Sequence, residues 1–252
     1  MTDERRFFGV RTLYGENFLA SRAHVYIIGV GGVGSWVAEG LARTGIGKIT
    51  LIDMDVLVES NVNRQLPALT HTFGESKISV MGERLQGINP DIDIELVDEF
   101  LSDDNVAKLL PSRDEVRQKW AQDERVIVLD CVDDMNAKLA IALHCRFNKL
   151  KLIVSGGAGG KIDPTCITVA DLKDVYQDPL LARLRSKLRE KGINRDLKEK
   201  FYIKCVYSTE PPKVTNACQT GLHCGGYGSA VAVTCTVGMV MVAECCRLLM
   251  RS

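Results

Sequence analysis

The run His24-Val25-Tyr26-Ile27-Ile28-Gly29-Val30-Gly31-Gly32-Val33-Gly34 decides the fold of this chain. Val25 to Ile28 is apolar without alternation, the pattern of a strand covered on both faces. The glycines follow at once, and Val33 to Arg43 reads as a helix. A glycine turn between strand and helix lets phosphate approach backbone N–H groups at the helix N-terminus, where the dipole favours negative charge. Lys48 to Asp53 is the next strand. Asp53 therefore ends it at the distance where an acidic residue reaches ribose hydroxyls.

The alternation continues outward. Gly74 to Gln86 reads as a helix, Asp93 to Val97 and Arg125 to Asp130 as strands, Met135 to Asn148 as a helix and Lys151 to Ser155 as a strand. Such alternation predicts an α/β fold, a Rossmann-like and mostly parallel sheet with helices on both faces. After the Gly156-Gly157-Ala158-Gly159-Gly160 crossing the composition changes. Residues 1–160 are expected to form the nucleotide-binding core. Residues 161–252 are expected to add a C-terminal strand and helix extension of the same domain that binds substrate. In it, Ile162 to Ala170 reads as a strand, Leu180 to Lys200 as a basic stretch broken at Gly192-Ile193-Asn194, and Phe201 to Tyr207 as a strand. A loop follows from Pro211 to Gly228, then a last helix.

The bulk numbers constrain function less. The 252 residues carry 32 basic and 32 acidic side chains, so any nucleic-acid contact must rest on a local patch. Nine cysteines form no Cys-x-x-Cys pair, which argues for free thiols in a reducing compartment and against a paired-cysteine zinc site. Met1 to Arg6 lead into no apolar run, so no secretory signal is expected. The apolar stretch from Ser229 to Ala243 stops at Glu244, short of the ~20 residues of a membrane span. A buried C-terminal helix, no stable membrane insertion and a cytoplasmic location are expected, with membrane association of that helix as the minority alternative.

Which nucleotide binds is decided downstream. Asp53-Met54-Asp55 is followed by Ser60-Asn61-Val62-Asn63-Arg64-Gln65, and Lys77 starts a helix. A dinucleotide oxidoreductase would leave this Arg and Lys unexplained. A triphosphate uses both, Arg as a two-donor clamp and Lys as a compact charge. Asp130-Cys131-Val132-Asp133-Asp134 follows a strand at the sheet's carboxyl edge, where a carboxylate can hold Mg²⁺ across phosphates.

Together the glycine loop, Asp-x-Asp, Ser-Asn-x-x-Arg-Gln, Lys77 and Asp-Cys-x-Asp resemble the adenylation domain of the ubiquitin-activating and molybdopterin- and thiamine-pathway adenylyltransferases. The resemblance implies ATP and Mg²⁺ as cofactors. It implies ATP contacts from Gly29, Gly31, Gly32, Gly34, Asp53, Asp55, Asn61, Arg64, Gln65 and Lys77, with Asp133 on the metal. Arg64, Lys77 and Asp133 would then be the catalytic groups. Arg6-Phe7-Phe8-Gly9, Leu13-Tyr14-Gly15, Ser35-Trp36, Ala42-Arg43-Thr44-Gly45-Ile46-Gly47, the Gly156 to Gly160 run and Cys205-Val206-Tyr207-Ser208-Thr209-Glu210 narrow it further. They resemble the tRNA threonylcarbamoyladenosine dehydratases, over nearly the whole chain. That resemblance implies a homodimer and a tRNA substrate, whose threonylcarbamoyl carboxylate is adenylated and then cyclised. The Arg-x-x-Arg of many relatives has Gly9 in its second slot, with Arg11 two residues on.

The densest positive run, from Arg183, is the expected tRNA-binding surface, through Arg183, Arg185, Lys187 and Arg189. Cys224, in a Gly-rich loop beside the last helix, is a further catalytic candidate. It could accept sulfur, assist cyclisation or simply pack, and a sulfur-transfer protein is one candidate partner. The rival reading is an adenylyltransferase for the Gly-Gly carboxylate of a ubiquitin-like sulfur carrier. The absent Cys-x-x-Cys pairs count against it.

Overall fold

The structure, a computed structural model, describes residues 3–15, 18, 20–196, 198–213 and 227–250. In chain order the elements are α1 (Asp3–Arg6), α2 (Phe8–Tyr14), β1 (Ala23–Ile28), α3 (Gly34–Arg43), β2 (Lys48–Ile52), α4 (Lys77–Ile88), β3 (Asp93–Val97), α5 (Val106–Leu109) and α6 (Arg113–Ala121). They continue with β4 (Arg125–Asp130), α7 (Met135–Asn148), β5 (Lys151–Ser155), β6 (Ile167–Asp171), α8 (Pro179–Glu190), β7 (Lys204–Ser208) and α9 (Val231–Met250).

One seven-stranded sheet runs β3-β2-β1-β4-β5-β7-β6, and only the β6–β7 pair is antiparallel. Strand order reverses between β1 and β4, so a ligand crevice opens there at the carboxyl ends. The unbroken apolar strands follow from the two covered faces. Val25 and Ile27 point into one core with Val37, Leu41, Met81 and Met241. Tyr26 and Ile28 point into the other with Val116, Ile141, Leu181 and Leu188. Each fully buried side chain of this kind contributes about 1.5–3 kcal/mol.

Helix α9 is long and apolar enough to cross a membrane, yet half of it is buried in the protein. Val233, Val237, Met241, Cys245 and Leu249 recur every fourth residue and fill the core beneath the sheet. Gly238 takes α9 close to α3, where a Cβ would lie 2.9 Å from Trp36 Cβ. Gly40 does the same from α3, 2.7 Å from Val242 Cγ2. Glu244 is 3% exposed and pairs with Lys204 of β7 and with Arg247.

Several boundaries differ from the sequence reading. The helix expected from Gly74 begins at Lys77, because Gly74 (φ +88) and Glu75 form a turn against Leu57. The strand expected from Ile162 begins at Ile167, because Asp163 caps a 3-10 turn opened by Pro164. The strand expected from Phe201 begins at Lys204, after Tyr202 at positive φ. Helix α6 was not anticipated, although Ser112 and Glu115 form a capping box at its start.

Candidate active site

The carboxyl ends of β1, β2, β4 and β5 surround a cleft of about 500 Å³. Its floor is the glycine turn. Gly29 has φ +84, and a Cβ on Gly34 would fall 1.8 Å from the Gly29 carbonyl oxygen, so neither position accepts a side chain. Gly31 and Gly32 line the cleft, and Val33 N-caps α3 without a side-chain bond. The helix entrance is thus left to an anion.

Asp53 stands one residue beyond β2. Its Oδ2 accepts the Val30 N–H at 2.6 Å and its Oδ1 the Asp55 N–H at 2.9 Å. The carboxylate therefore holds the glycine turn in place while bordering the cleft. Lys77 is the first residue of α4 and 6% exposed. Its ammonium lies 2.6 Å from Asp55 Oδ2 and 4.0 Å from Asp53 Oδ1.

The Asn61–Arg64 turn is built locally. Buried Asn61 accepts the Val58 N–H through Oδ1 at 3.2 Å. The Arg64 stem lies across Gly32, where a Cβ would come within 3.1 Å of Arg64 Cγ. Its guanidinium donates to the Ser60 carbonyl and to Asn63 Oδ1, each at 2.9 Å. Trp36 Nε1 donates to the Arg64 carbonyl at 3.0 Å and ties the turn to α3. Gln65 is 6% exposed and lines the cleft, and its Oε1 has no partner among the described residues.

The two acidic residues after β4 divide their work. Asp134 caps α7, accepting from Asn136 N and Ala137 N. Asp133 is exposed in the cleft wall, and its carboxylate makes no bond with any described residue. Mg²⁺ on a nucleotide uses one or two carboxylates plus phosphate oxygens, so this single free carboxylate fits it. Among the described residues no group of three or more His, Cys, Asp or Glu could hold an ion unaided. Deeper lies Asp130, whose carboxyl burial pushes up and the Lys138 ammonium pulls down. Burial also pushes the Cys131 thiol well up, and that residue packs against Gly34.

Of the expected nucleotide residues, all but Gly34 line this one cleft; Gly34 is buried behind it, against the Gly29 carbonyl, and lets the turn close. Those on α8 do not behave alike. Arg183 is exposed and Lys187 half-buried. Arg185 turns inward and donates to the carbonyls of Leu172, Lys173 and Val175 at 3.0, 3.3 and 2.8 Å. Arg189 sits 5.6 Å over the Phe201 ring, with its Nε buried and without a hydrogen-bond partner among the described residues. Cys224 and Cys218 lie outside the described residues. Sequence reasoning missed Phe100, Leu180 and Thr234 in the cleft wall. Phe100 had a signal in its position just past a strand end. Leu180 enters because Asp178 caps α8 through the Leu181 N–H and accepts the Gly157 N–H, each at 2.9 Å. The Gly156–Gly160 turn has a second tie, since Gly160 donates to the Gly228 carbonyl at 2.7 Å and accepts from Lys213 N at 2.8 Å.

Residues 15–252 match the ThiF family. A tRNA threonylcarbamoyladenosine dehydratase of Haemophilus influenzae is 42% identical over 250 residues, 96% of this chain and 92% of that protein. The crystal structure of the Escherichia coli tRNA N6-threonylcarbamoyladenosine dehydratase in complex with ATP has a TM-score of 0.85 at 41% identity, covering 98% and 95% of the two chains. Its AMP complex has a TM-score of 0.82. With a Rossmann-type cleft, a complete Ser60 to Gln65 motif and this near full-length identity, the chain belongs to the ThiF family and, within it, to the tRNA threonylcarbamoyladenosine dehydratases.

Proposed function

We propose that this chain uses ATP to activate and cyclise N6-threonylcarbamoyladenosine next to the anticodon of tRNA. The observation that carries the reading is the convergence of the glycine turn, Asp53, Arg64, Lys77 and Asp133 in one cleft of a dehydratase-family chain. In the first step a threonylcarbamoyl carboxylate oxygen bonds to the α-phosphorus of ATP, and the bond to the β-phosphate breaks, releasing pyrophosphate. In the second the ureido group of the same side chain attacks the activated carbonyl and gives up a proton. AMP leaves with the carboxylate oxygen, so one water is lost overall. Nucleophile and electrophile share one molecule, so orientation supplies much of the rate. Arg64 leaves Ser60 and Asn63 to reach phosphate, and Lys77 leaves Asp55. Both charges stabilise the leaving pyrophosphate. Bound Mg²⁺, held by Asp133, would neutralise phosphate charge.

The tRNA backbone docks on the outer face of α8, led by Arg183 and Lys187, one helical turn apart. Arg185 and Arg189 support this helix from inside. The chain acts as a homodimer in the cytoplasm. Phe8 and Leu13 of α2 are 66% and 77% exposed and give the partner an apolar contact near Arg11. A sulfur carrier as substrate is disfavoured by the absence of Cys-x-x-Cys in the sequence. The test is incubation with ATP, Mg²⁺ and tRNA bearing the modification, followed by mass spectrometry of the nucleosides. A nucleoside lighter by one water, with one AMP formed for each, is expected. ATP turnover that needs a Gly-Gly-ending protein would overturn the reading.

A further inference from the structure

Beneath the cleft lies a pair of charges that the proposed chemistry does not use. Asp130 ends β4 and Lys138 lies in the first turns of α7, and the side chains of both are 0% exposed. Lys138 Nζ is 2.9 Å from Asp130 Oδ1. Each partner makes one further bond, and each goes to backbone. Asp130 Oδ1 accepts the Val132 N–H at 3.1 Å. The Lys138 ammonium donates to the Ser155 carbonyl at 3.3 Å. Asp130 Oδ2 has no partner among the described residues.

These backbone groups belong to two different walls of the cleft. Val132 leads into Asp133, and Ser155 opens the Ser155-Gly156-Gly157 turn. One ion pair therefore joins the metal-carboxylate wall to the glycine wall, across neighbouring strands β4 and β5. Stability is a poor reason for it. Two charges removed from water lose most of their attraction to desolvation, and well-packed apolar residues of similar size usually do as well or better. Val128, two residues back on the same face of β4, and Ile141 and Ala142 of α7 are buried and apolar, so apolar side chains suit this layer.

We propose that Asp130 and Lys138 are positioning residues, a strut that fixes the separation between the Asp133 turn and the Gly156–Gly157 turn. The inference rests on the adenylation reading for what binds between the walls. Its contacts are to main chain, so a shift in the pair moves both walls together with the groups they carry. A displacement of ~1 Å at a reacting centre lowers turnover by about 100-fold.

The test is the double variant Asp130→Leu/Lys138→Met, which removes both charges and roughly keeps volume. We expect an unfolding temperature equal to or above that of the native protein and a near-native affinity for ATP in the absence of Mg²⁺. We expect kcat to fall by about 10- to 100-fold. Calorimetric ATP binding should also lose its strengthening by Mg²⁺. A merely structural pair would give the opposite split, a lower unfolding temperature with native kcat in the folded fraction. A folded double variant with native kcat and native Mg²⁺ response overturns the strut. If the double variant does not fold, Lys138→Arg decides, since it keeps the charge but alters the reach to Ser155. Lowered kcat at a native unfolding temperature supports the strut, and native kcat overturns it. ATP–pyrophosphate exchange by the native protein is the control. Its absence indicts the adenylation reading, and the Mg²⁺ response in calorimetry then judges the strut alone.

Discussion

The cleft and helix α8 both carry cations, but they hold them differently. In the cleft Arg64 and Lys77 sit on local polar partners at the cleft wall, the Ser60 carbonyl, Asn63 and Asp55, which a phosphate can replace. On α8 the charge is divided. Arg183 faces solvent, while Arg185 is committed to three carbonyls of its own chain and Arg189 to Phe201. Charge density along a sequence therefore overstates the charge offered to a ligand. What counts is whether each cation's present partners can be exchanged.

The largest expected effect tests the cleft side of this contrast. Arg64→Ala should lower ATP–pyrophosphate exchange by about 100- to 1000-fold at an unchanged unfolding temperature, and Lys77→Ala should lower it by a similar factor. Arg11→Ala should cost less, because Gly9 occupies the slot in which the adenylation-domain resemblance expects a second arginine. Equal losses in Arg11→Ala and Arg64→Ala would show that a third cation shares the phosphate site.

Arg185→Ala tests the other side. Its hydrogen bonds to Leu172, Lys173 and Val175 hold the turn beside α8. Removing them should lower stability in chemical denaturation by about 1.5–3 kcal/mol. The salt dependence of tRNA binding should be unchanged. A native stability with a flattened salt slope would reverse the assignment.

The opposite pole of the sheet gives a prediction from pH. His24, 5% exposed, hydrogen-bonds Thr50 Oγ1 at 2.7 Å, and burial lowers its pKa to about 3. The unfolded chain takes up this proton near the ordinary value of 6.5. The contribution is thus complete above that value and falls as pH drops below it, levelling off near 3. At pH 5 the loss is about 2 kcal/mol. His24→Gln should flatten this acid limb in urea unfolding at stepped pH, while exchange activity, which depends on the cleft, keeps its own profile. An unchanged limb would assign the acid sensitivity to carboxylates elsewhere.

The smallest effect concerns the outward face of α8. Arg183→Ala with Lys187→Ala should weaken tRNA binding and reduce the log–log salt slope by about 0.7 to 0.9 per lost phosphate contact. ATP affinity should not change. A native slope would move tRNA docking to another surface.

Much of this contrast was legible beforehand, for definite reasons. The apolar strands and the glycine turn are local patterns, and the cleft follows from their alternation, so Asp53, Arg64, Lys77 and Asp133 could be assigned to one site. Arg185 was also within reach. It lies four residues beyond Leu181 and so shares the buried stripe with it, whereas Arg183 lies on the other side. The Asp130–Lys138 pair was not legible, since nothing in the spacing says that a strand end and a helix will turn two charges toward each other under a cleft. Leu180 entered the cleft wall through the tertiary contact between Asp178 and Gly157.

Gly160 hydrogen-bonds to both Lys213 and Gly228. One backbone position in the turn after β5 thus holds two stretches of chain that are distant in sequence. Gly160 has φ +71, and a Cβ there would lie 2.9 Å from the Lys213 carbonyl oxygen. A side chain at this position would push Lys213 and Gly228 apart and disturb the approach to α9, so the mutational sensitivity of the last helix reaches back to a glycine about seventy residues before it.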